Sequence, residues 1–242
     1  MVLNLLRRDK VFQPYEKVSE YKIERKLGEG RFGICYLISQ GSQFYILKQL
    51  KRGMLKESGA KVVYEEEVLK DLWHGSIPRF ISRIDQDNLC GYILEYKEGK
   101  TFEDIIYLDK HKFSREEIYG VGRQLVDILN YLHSKGIVHR DIRVPNTLYD
   151  GHSVNLVDFG LARWIDNKKY QSDMDFAFLG DFIIHLYYTT FVAKSRKKLP
   201  WYKELDLTNE EQLFLKKLMG VEARFGNIAE VEQAFNETYK RF

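Results

Sequence analysis

Near residues 96–100 the spacing of apolar residues switches from every second position to every third or fourth. That switch confines the chain to a fold with a sheet-forming front and a helical back. Ahead of it, Tyr21, Ile23 and Leu27 fall on odd positions before Gly28, as in a half-buried strand. Segments 34–38 and 44–50 are β-rich runs on either side of the turn-like Gln40-Gly41-Ser42-Gln43. Segment 62–73 reads as a helix with Glu65, Glu66 and Glu67 near its start. Strands at 80–84 and 89–95 flank the hairpin turn Asp85-Gln86-Asp87-Asn88. After Gly99, Ser114-Arg115-Glu116-Glu117 has the form of a capping box, in which hydroxyl and carboxylate satisfy free amides at a helix start. Ile118, Val121, Leu125, Ile128, Leu129 and Leu132 follow at helical spacing and Gly136 ends the run. A second box at 208–211 and a periodic run at 228–239 predict two more helices. The expectation is an α+β chain of two lobes, a small β-rich N-lobe and a helical C-lobe.

At 242 residues the chain is long enough for one or two domains of about 150 residues each. With 44% hydrophobic and 30% charged residues it is neither disordered nor a collagen-like or disulfide scaffold. Its net charge of +3 is too small to call for a nucleic-acid partner, and none is expected. Two cysteines, Cys35 and Cys90, suit reduced thiols and a cytoplasmic location. The first ten residues lack the order of a secretory signal. Segment 176–193 is apolar and long enough to span a bilayer. Asp181 and His185 lie inside it and Asp175 and Lys194 bound it, so a core helix buried all round is expected and no transmembrane segment. The basic run Lys194-Ser195-Arg196-Lys197-Lys198 reads as a solvated linker.

Gly28-Glu29-Gly30-Arg31-Phe32-Gly33 lets backbone amides approach phosphates closely. A strand follows it rather than a helix, which excludes a dinucleotide-binding fingerprint and suits a strand–loop–strand cover over a nucleotide. Lys48 ends an apolar strand and Glu65 opens the next helix. Alone, each reads as an ordinary solvated charge. Val138-His139-Arg140-Asp141-Ile142-Arg143-Val144-Pro145-Asn146, followed by Val157-Asp158-Phe159-Gly160, alters that reading. With the glycine loop, the strand lysine and the helix glutamate in the same order, the chain resembles eukaryotic-type protein kinases of the His-Arg-Asp family over residues 21–235.

The resemblance implies a bilobal kinase-like fold: an N-terminal extension at 1–20, an N-lobe at 21–96 and a C-lobe at 97–242. Magnesium-bound ATP would lie between the lobes. It implies Asp141 as the base for the attacking hydroxyl, Arg143 close to the γ-phosphate, and Lys48 on the α- and β-phosphates with Glu65 as its partner. Asn146 and Asp158 would hold Mg²⁺, with Mn²⁺ as a substitute, since hard cations take oxygen ligands. The glycine loop from Gly28 to Gly33, including Glu29, Arg31 and Phe32, would cover the nucleotide. Leu27 and Cys35 would roof the adenine pocket, Ile46 line it and Leu148 floor it. Leu94 would be the gatekeeper, with Glu95, Tyr96 and Lys97 as the hinge. Cys35 replaces the usual Val, and Ile46 is bulkier than the usual Ala.

The chain departs from the family between Gly160 and Asp175, where only fourteen residues stand. None of the four prolines, Pro14, Pro78, Pro145 and Pro200, falls there, so the Ala-Pro-Glu motif is absent. Phosphorylation of this segment, which in relatives acts through the arginine matched by Arg140, has only Tyr170 and Ser172 to act on, and activity without it is expected. Arg224, matched to the arginine that normally pairs with the missing glutamate, needs another carboxylate or lies in solvent. Arg143 stands where serine/threonine members usually carry Lys. The expectation is an ATP-dependent kinase acting on serine or threonine hydroxyls of a protein, itself included. The alternatives are a kinase of a small molecule, sugar or lipid, and a nucleotide-binding scaffold without turnover.

Overall fold

The computed structural model describes residues 9–31, 33–51, 64–86, 89–166, 168–193 and 199–240. Of the residues singled out above, Phe32, the turn residues Asp87 and Asn88, positions 62–63 and the basic run 194–198 lie outside the described residues. The chain divides into two compact units, Met1–Trp73 with Pro78–Lys97, and His74–Ile77 with Glu98–Phe242.

The first unit is the β-rich one. Strands β1 (Lys17–Val18), β2 (Tyr21–Glu29), β3 (Gly33–Gln40) and β4 (Gln43–Leu50) precede helix α1 (Tyr64–Lys70), and β5 (Phe80–Gln86) and β6 (Leu89–Glu95) follow it. They form one antiparallel sheet in the order β1-β2-β3-β4-β6-β5. Gly41, at φ 60°, makes the two-residue turn between β3 and β4.

Side chains of paired residues point to the same face, so register alone sorts the sheet into two surfaces. The pairs Tyr36↔Leu47 and Leu47↔Ile93 put those residues on the core face with Ile23, Ile34 and Ile38, all of them buried. The pairs Cys35↔Lys48 and Ile46↔Leu94 belong to the opposite face. Gly91 is needed where β6 meets β4: a Cβ there would come within 2.4 Å of the Lys48 carbonyl oxygen.

Residues 9–20, expected as an extension, are part of this unit. Phe12 donates its N–H to Tyr36 Oη at 3.2 Å and meets that ring edge-on at 5.7 Å. Gln49 Nε2 donates to the Lys10 carbonyl at 3.0 Å, and Phe12 and Val18 join the same apolar cluster as Ile23. The segment covers the core face, so the β-rich lobe begins before residue 21. The first unit ends at Lys97, one residue past the expected joint, but residues 74–77 inside its span belong with the second unit. There the Ser76 carbonyl accepts from Leu156 N at 2.9 Å and the His74 ring packs 4.9 Å from Tyr131.

The second unit contains β7 (Lys100–Thr101), α2 (Phe102–Tyr107), α3 (Arg115–Ser134), β8 (Ile137–Val138), β9 (Thr147–Tyr149), β10 (Val154–Leu156) and β11 (Arg163–Trp164). Helices α4 (Asp173–Tyr188), α5 (Trp201–Glu204), α6 (Asn209–Leu218) and α7 (Ile228–Thr238) complete it. Both capping boxes form: Ser114 and Glu117 bond reciprocally at the start of α3, as Thr208 and Glu211 do at α6. The six apolar residues of α3 named from sequence are all buried. α3 and α7 approach so closely that a Cβ on Gly122 would lie 2.8 Å from the Phe235 ring.

Helix α4 begins two residues before Asp175 and ends at Tyr188, five residues short of the apolar run. It is not buried all round. Ala177, Asp181 and His185, four residues apart, form a half-exposed stripe, which lets the two polar side chains reach water. Among the described residues no helix is long and apolar enough to cross a membrane.

Candidate active site

In the first unit the glycine loop joins β2 to β3, closed by a 2.9 Å bond from Gly30 N to Gly33 O. Its three glycines have different reasons to be there. A Cβ on Gly33 would meet the Gln49 carbonyl oxygen at 2.4 Å, so packing on β4 demands that glycine. A Cβ on Gly28 or Gly30 would meet nothing within 4 Å. The fold leaves open space beside those two, the room that a close-lying phosphate needs. Glu29 turns to Lys26 (2.8 Å) and Lys51 (2.7 Å), whose bonds hold its carboxyl down to about 2. Leu27 sits at a β-bulge and is exposed, as is Arg31.

Register puts Gly28, Cys35 and Lys48 in one cross-strand row and Ile46 and Leu94 in the next, so these predicted lining residues share a face. Lys48 Nζ lies 2.5 Å from Glu65 Oε2, with side-chain exposures of 9% and 5%. At that depth each charge needs the other, since an unpaired buried ion costs several kcal/mol. Beyond Leu94, Glu95 is bound by Arg79 (3.2 Å) and Lys97 (3.0 Å), and the Tyr96 ring meets Phe44 at 6.1 Å. The two cations hold the Glu95 carboxyl below its usual value against the opposing effect of burial.

In the second unit the loop after β8 carries His139, Arg140 and Asp141. Arg140 (φ 67°) and Asp158 (φ 60°) both adopt the left-handed region, a strained state for residues with a Cβ that tends to mark functional sites. Arg140 is held there by Asp175, fully buried in the first turn of α4. Its carboxylate accepts from Arg140 N at 2.7 Å, His139 N at 2.9 Å and His133 Nε2 at 3.0 Å. The buried His139 ring packs edge-on to Phe159 at 4.6 Å, tying this loop to the one that bears Asp158. Burial pushes its imidazole below the usual value, against the pull of Asp175, Asp158 and Asp141.

Asp141 is partly open, at 18% side-chain exposure. Asn146 Nδ2 donates to its Oδ2 at 2.7 Å and to its backbone carbonyl at 3.1 Å. Arg143 Nε stands 3.5 Å from its Oδ1, with more than half of the arginine side chain in solvent. The Asn146 carbonyl accepts from Val157 N at 2.9 Å, which sets Asp158 next to Asn146 in the fold. Asn146 spends its amide N–H groups on Asp141, so its Oδ1 is available to a cation. Asp158 is exposed and caps Gly160 N at 3.3 Å. Amide and carboxylate oxygens of this kind fit a hard divalent ion. Among the described residues no three His, Cys, Asp or Glu side chains converge as an all-protein metal cage. Leu148, on β9 between Thr101 and Asn155, is half-buried.

Sequence reasoning missed the anchoring by Asp175, which it read as the edge of an apolar run. A carboxylate opening an otherwise apolar helix was the available signal, because such a group must find buried donors. Arg224, left without its family partner, pairs with Asp173 at 3.1 Å, also in the first turn of α4. The short segment between Gly160 and α4 pairs through β11 with β8, then closes on itself. Asp166 Oδ1 accepts the N–H groups of Lys168, Lys169 and Tyr170.

Residues 21–188 match the family model described as protein kinase domain. The probable serine/threonine-protein kinase YbdM of Bacillus subtilis is 33% identical over 226 residues, which is 90% of this chain and 88% of that protein. Serine/threonine-protein kinase Nek11 of Homo sapiens is 32% identical over 153 residues, 59% of this chain and 24% of that protein. Serine/threonine-protein kinase 36 of Mus musculus is 31% identical over 150 residues, 60% of this chain and 11% of that protein. The chain thus spans most of the bacterial relative and a quarter or less of these two animal ones.

Proposed function

Because this chain belongs to the protein kinase family, we propose that it moves the γ-phosphoryl group of ATP to serine or threonine hydroxyls of a protein, itself included. Phosphoryl transfer asks a protein for positioning and for neutralisation of charge more than for covalent help. In this reading Asp141 accepts the proton of the attacking hydroxyl. Asn146 orients that carboxylate through the 2.7 Å bond to Oδ2, and Arg143 neutralises charge on the phosphate being moved. Lys48, aimed by Glu65, binds the α- and β-phosphates, and the open backbone at Gly28 and Gly30 lies over them. Glu29, Arg31, Phe32 and Gly33 complete that loop. Leu27, Cys35, Ile46, Leu94 and Leu148 surround the base, and the backbone of Glu95, Tyr96 and Lys97 meets its edge. Asn146 and Asp158 would hold Mg²⁺, or Mn²⁺ in its place, which would supply positive charge beside the phosphates.

The observation that carries the reading is the state of Asp141, a half-open carboxylate fixed in direction by Asn146 and by the backbone that Asp175 anchors. The reading places the enzyme in the cytoplasm, where ATP is made and thiols such as Cys35 and Cys90 stay reduced.

Purified protein, labelled ATP and Mg²⁺ test it. Label on serine or threonine of the chain or of a generic protein, absent from Asp141→Asn, is the expected result. ATP turnover that requires a metabolite extract would instead favour a small-molecule acceptor, a reading encouraged by the short segment before α4. Nucleotide binding without turnover under either condition would leave only a scaffold.

A further inference from the structure

Arg140 has an unusual set of partners. Its backbone is fixed by Asp175, and its Nη1 donates to the Leu161 carbonyl at 3.0 Å, just after the Asp158-Phe159-Gly160 turn. One side chain thus links the strand of chain that bears Asp141 to the one that bears Asp158. Among the described residues no carboxylate stands within ion-pairing distance of its guanidinium. What covers it is the ring of Tyr170, 4.7 Å from the guanidinium carbon. A cation over an aromatic face is attracted by the ring quadrupole, and arginine also stacks there with little loss of freedom.

Tyr170 is brought to that place by the local backbone. Asp166 N donates to the Tyr170 carbonyl at 3.1 Å, and Tyr170 N donates back to Asp166 Oδ1 at 2.8 Å. The same carboxylate oxygen collects Lys168 N and Lys169 N, which makes a tight loop. Upstream, Ile165 N donates to the Gly136 carbonyl at 2.7 Å and β11 pairs with β8. Lys169 Nζ also stands over the ring, 5.3 Å from its centroid. Desolvation raises the Tyr170 phenol, but Lys169, Arg140 and Arg163 together outweigh it and hold the group below its usual value. The loop is thus folded by its own bonds before any phosphate is added.

We propose that Tyr170 is a positioning residue that holds Arg140 by its ring face, so that the Asp141 and Asp158 loops stay in working register without phosphorylation of the segment between them. The proposal rests on the phosphotransfer reading and deepens it by naming how that site is regulated. A neutral, always present ring does for Arg140 what a transferable phosphate does in relatives with a long loop. Activity is then set by synthesis of the protein and by its substrates rather than by an upstream kinase.

The test uses the full chain, produced with a protein phosphatase and shown by intact mass to carry no phosphate. Such protein is expected to match untreated protein in turnover. Tyr170→Phe keeps the ring and should retain kcat, whereas Tyr170→Ala should lose about tenfold in kcat with the KM for ATP unchanged, the size of one partly desolvated cation–π contact. Tyr170→Leu keeps apolar cover without a quadrupole and should fall with Tyr170→Ala. Amide hydrogen exchange supplies a readout independent of turnover. Faster exchange at Arg140 and Ala162 is expected in Tyr170→Ala and Tyr170→Leu but not in Tyr170→Phe.

Loss of turnover on dephosphorylation overturns the proposal. So does a Tyr170→Leu equal to wild type, or a Tyr170→Phe as impaired as Tyr170→Ala. A wild-type protein inactive in every assay would sink the phosphotransfer reading itself, and unaltered exchange in Tyr170→Ala would sink the role of the ring separately.

Discussion

The charged groups of the two units are built on opposite plans. Lys48 and Glu65 face each other at 2.5 Å with almost no solvent access, and each is the other's answer to desolvation. Asp141 and Asp158 keep contact with water; Asp158 caps Gly160 N, and the bond from Asn146 leaves part of the Asp141 carboxylate's capacity unspent. The first arrangement is closed and its integrity is bound up with folding. The second is open, and its remaining capacity suits groups that arrive with the substrate. Stability and activity should therefore separate when the two are mutated.

The widest separation is expected at Asp141. Asp141→Asn removes the proton acceptor and should lower kcat by about 10²–10⁴-fold, the usual worth of a general base, while the thermal midpoint stays put. A midpoint that falls together with activity would put Asp141 among the closed groups. Lys48→Met tests the other plan. It strands Glu65 and should cost about 3–5 kcal/mol of unfolding free energy in urea titrations, the usual cost of breaking a buried pair. Unchanged stability in that variant would mean that water reaches the pair and the contrast fails.

A smaller effect is expected at the start of α3, in the unit with the open site. Ser114→Ala should cost about 1 kcal/mol through loss of the cap. The bonds from Ser114 N and His111 hold the Glu117 carboxyl below its usual value despite partial burial. A depressed carboxyl contributes stability that is present above its unfolded value and is lost as pH falls through the folded one. Acid titration of the midpoint should show a loss below about pH 4.5 that Glu117→Gln abolishes. The smallest effect belongs to Arg224→Ala. Its partner Asp173 is at the surface and the arginine side chain is 59% exposed, so less than about 1 kcal/mol is expected. A larger loss would show that this pair has taken over the structural duty of the missing Ala-Pro-Glu.

Local pattern disclosed much of this molecule. Alternation placed β2, β3 and β4, and the boxes at Ser114 and Thr208 placed α3 and α6, because caps and periodicity act within a few residues. The five charged or amide groups of the motifs were legible only together, since each alone reads as surface. Less legible was whatever depends on distant partners. Asp175 meets His139 and Arg140 across 36 and 35 residues of chain, and its own neighbourhood signals only that it needs buried donors, not which ones. The half-exposed stripe of α4 followed from Ala177, Asp181 and His185 being four apart, a period hidden by the high apolar content around them. The different duties of Gly28, Gly30 and Gly33 came from the approach of β4, which the motif does not record.

The strap formed by residues 9–20 bears on any attempt to shorten the protein. A version that starts at residue 21, where the family match begins, would strip Phe12 and Val18 from the sheet and leave the Tyr36 hydroxyl and the Gln49 amide without their partners. The newly bared apolar surface invites self-association, so such a trimmed protein should collect as insoluble aggregate even though every signature residue of its chemistry is intact.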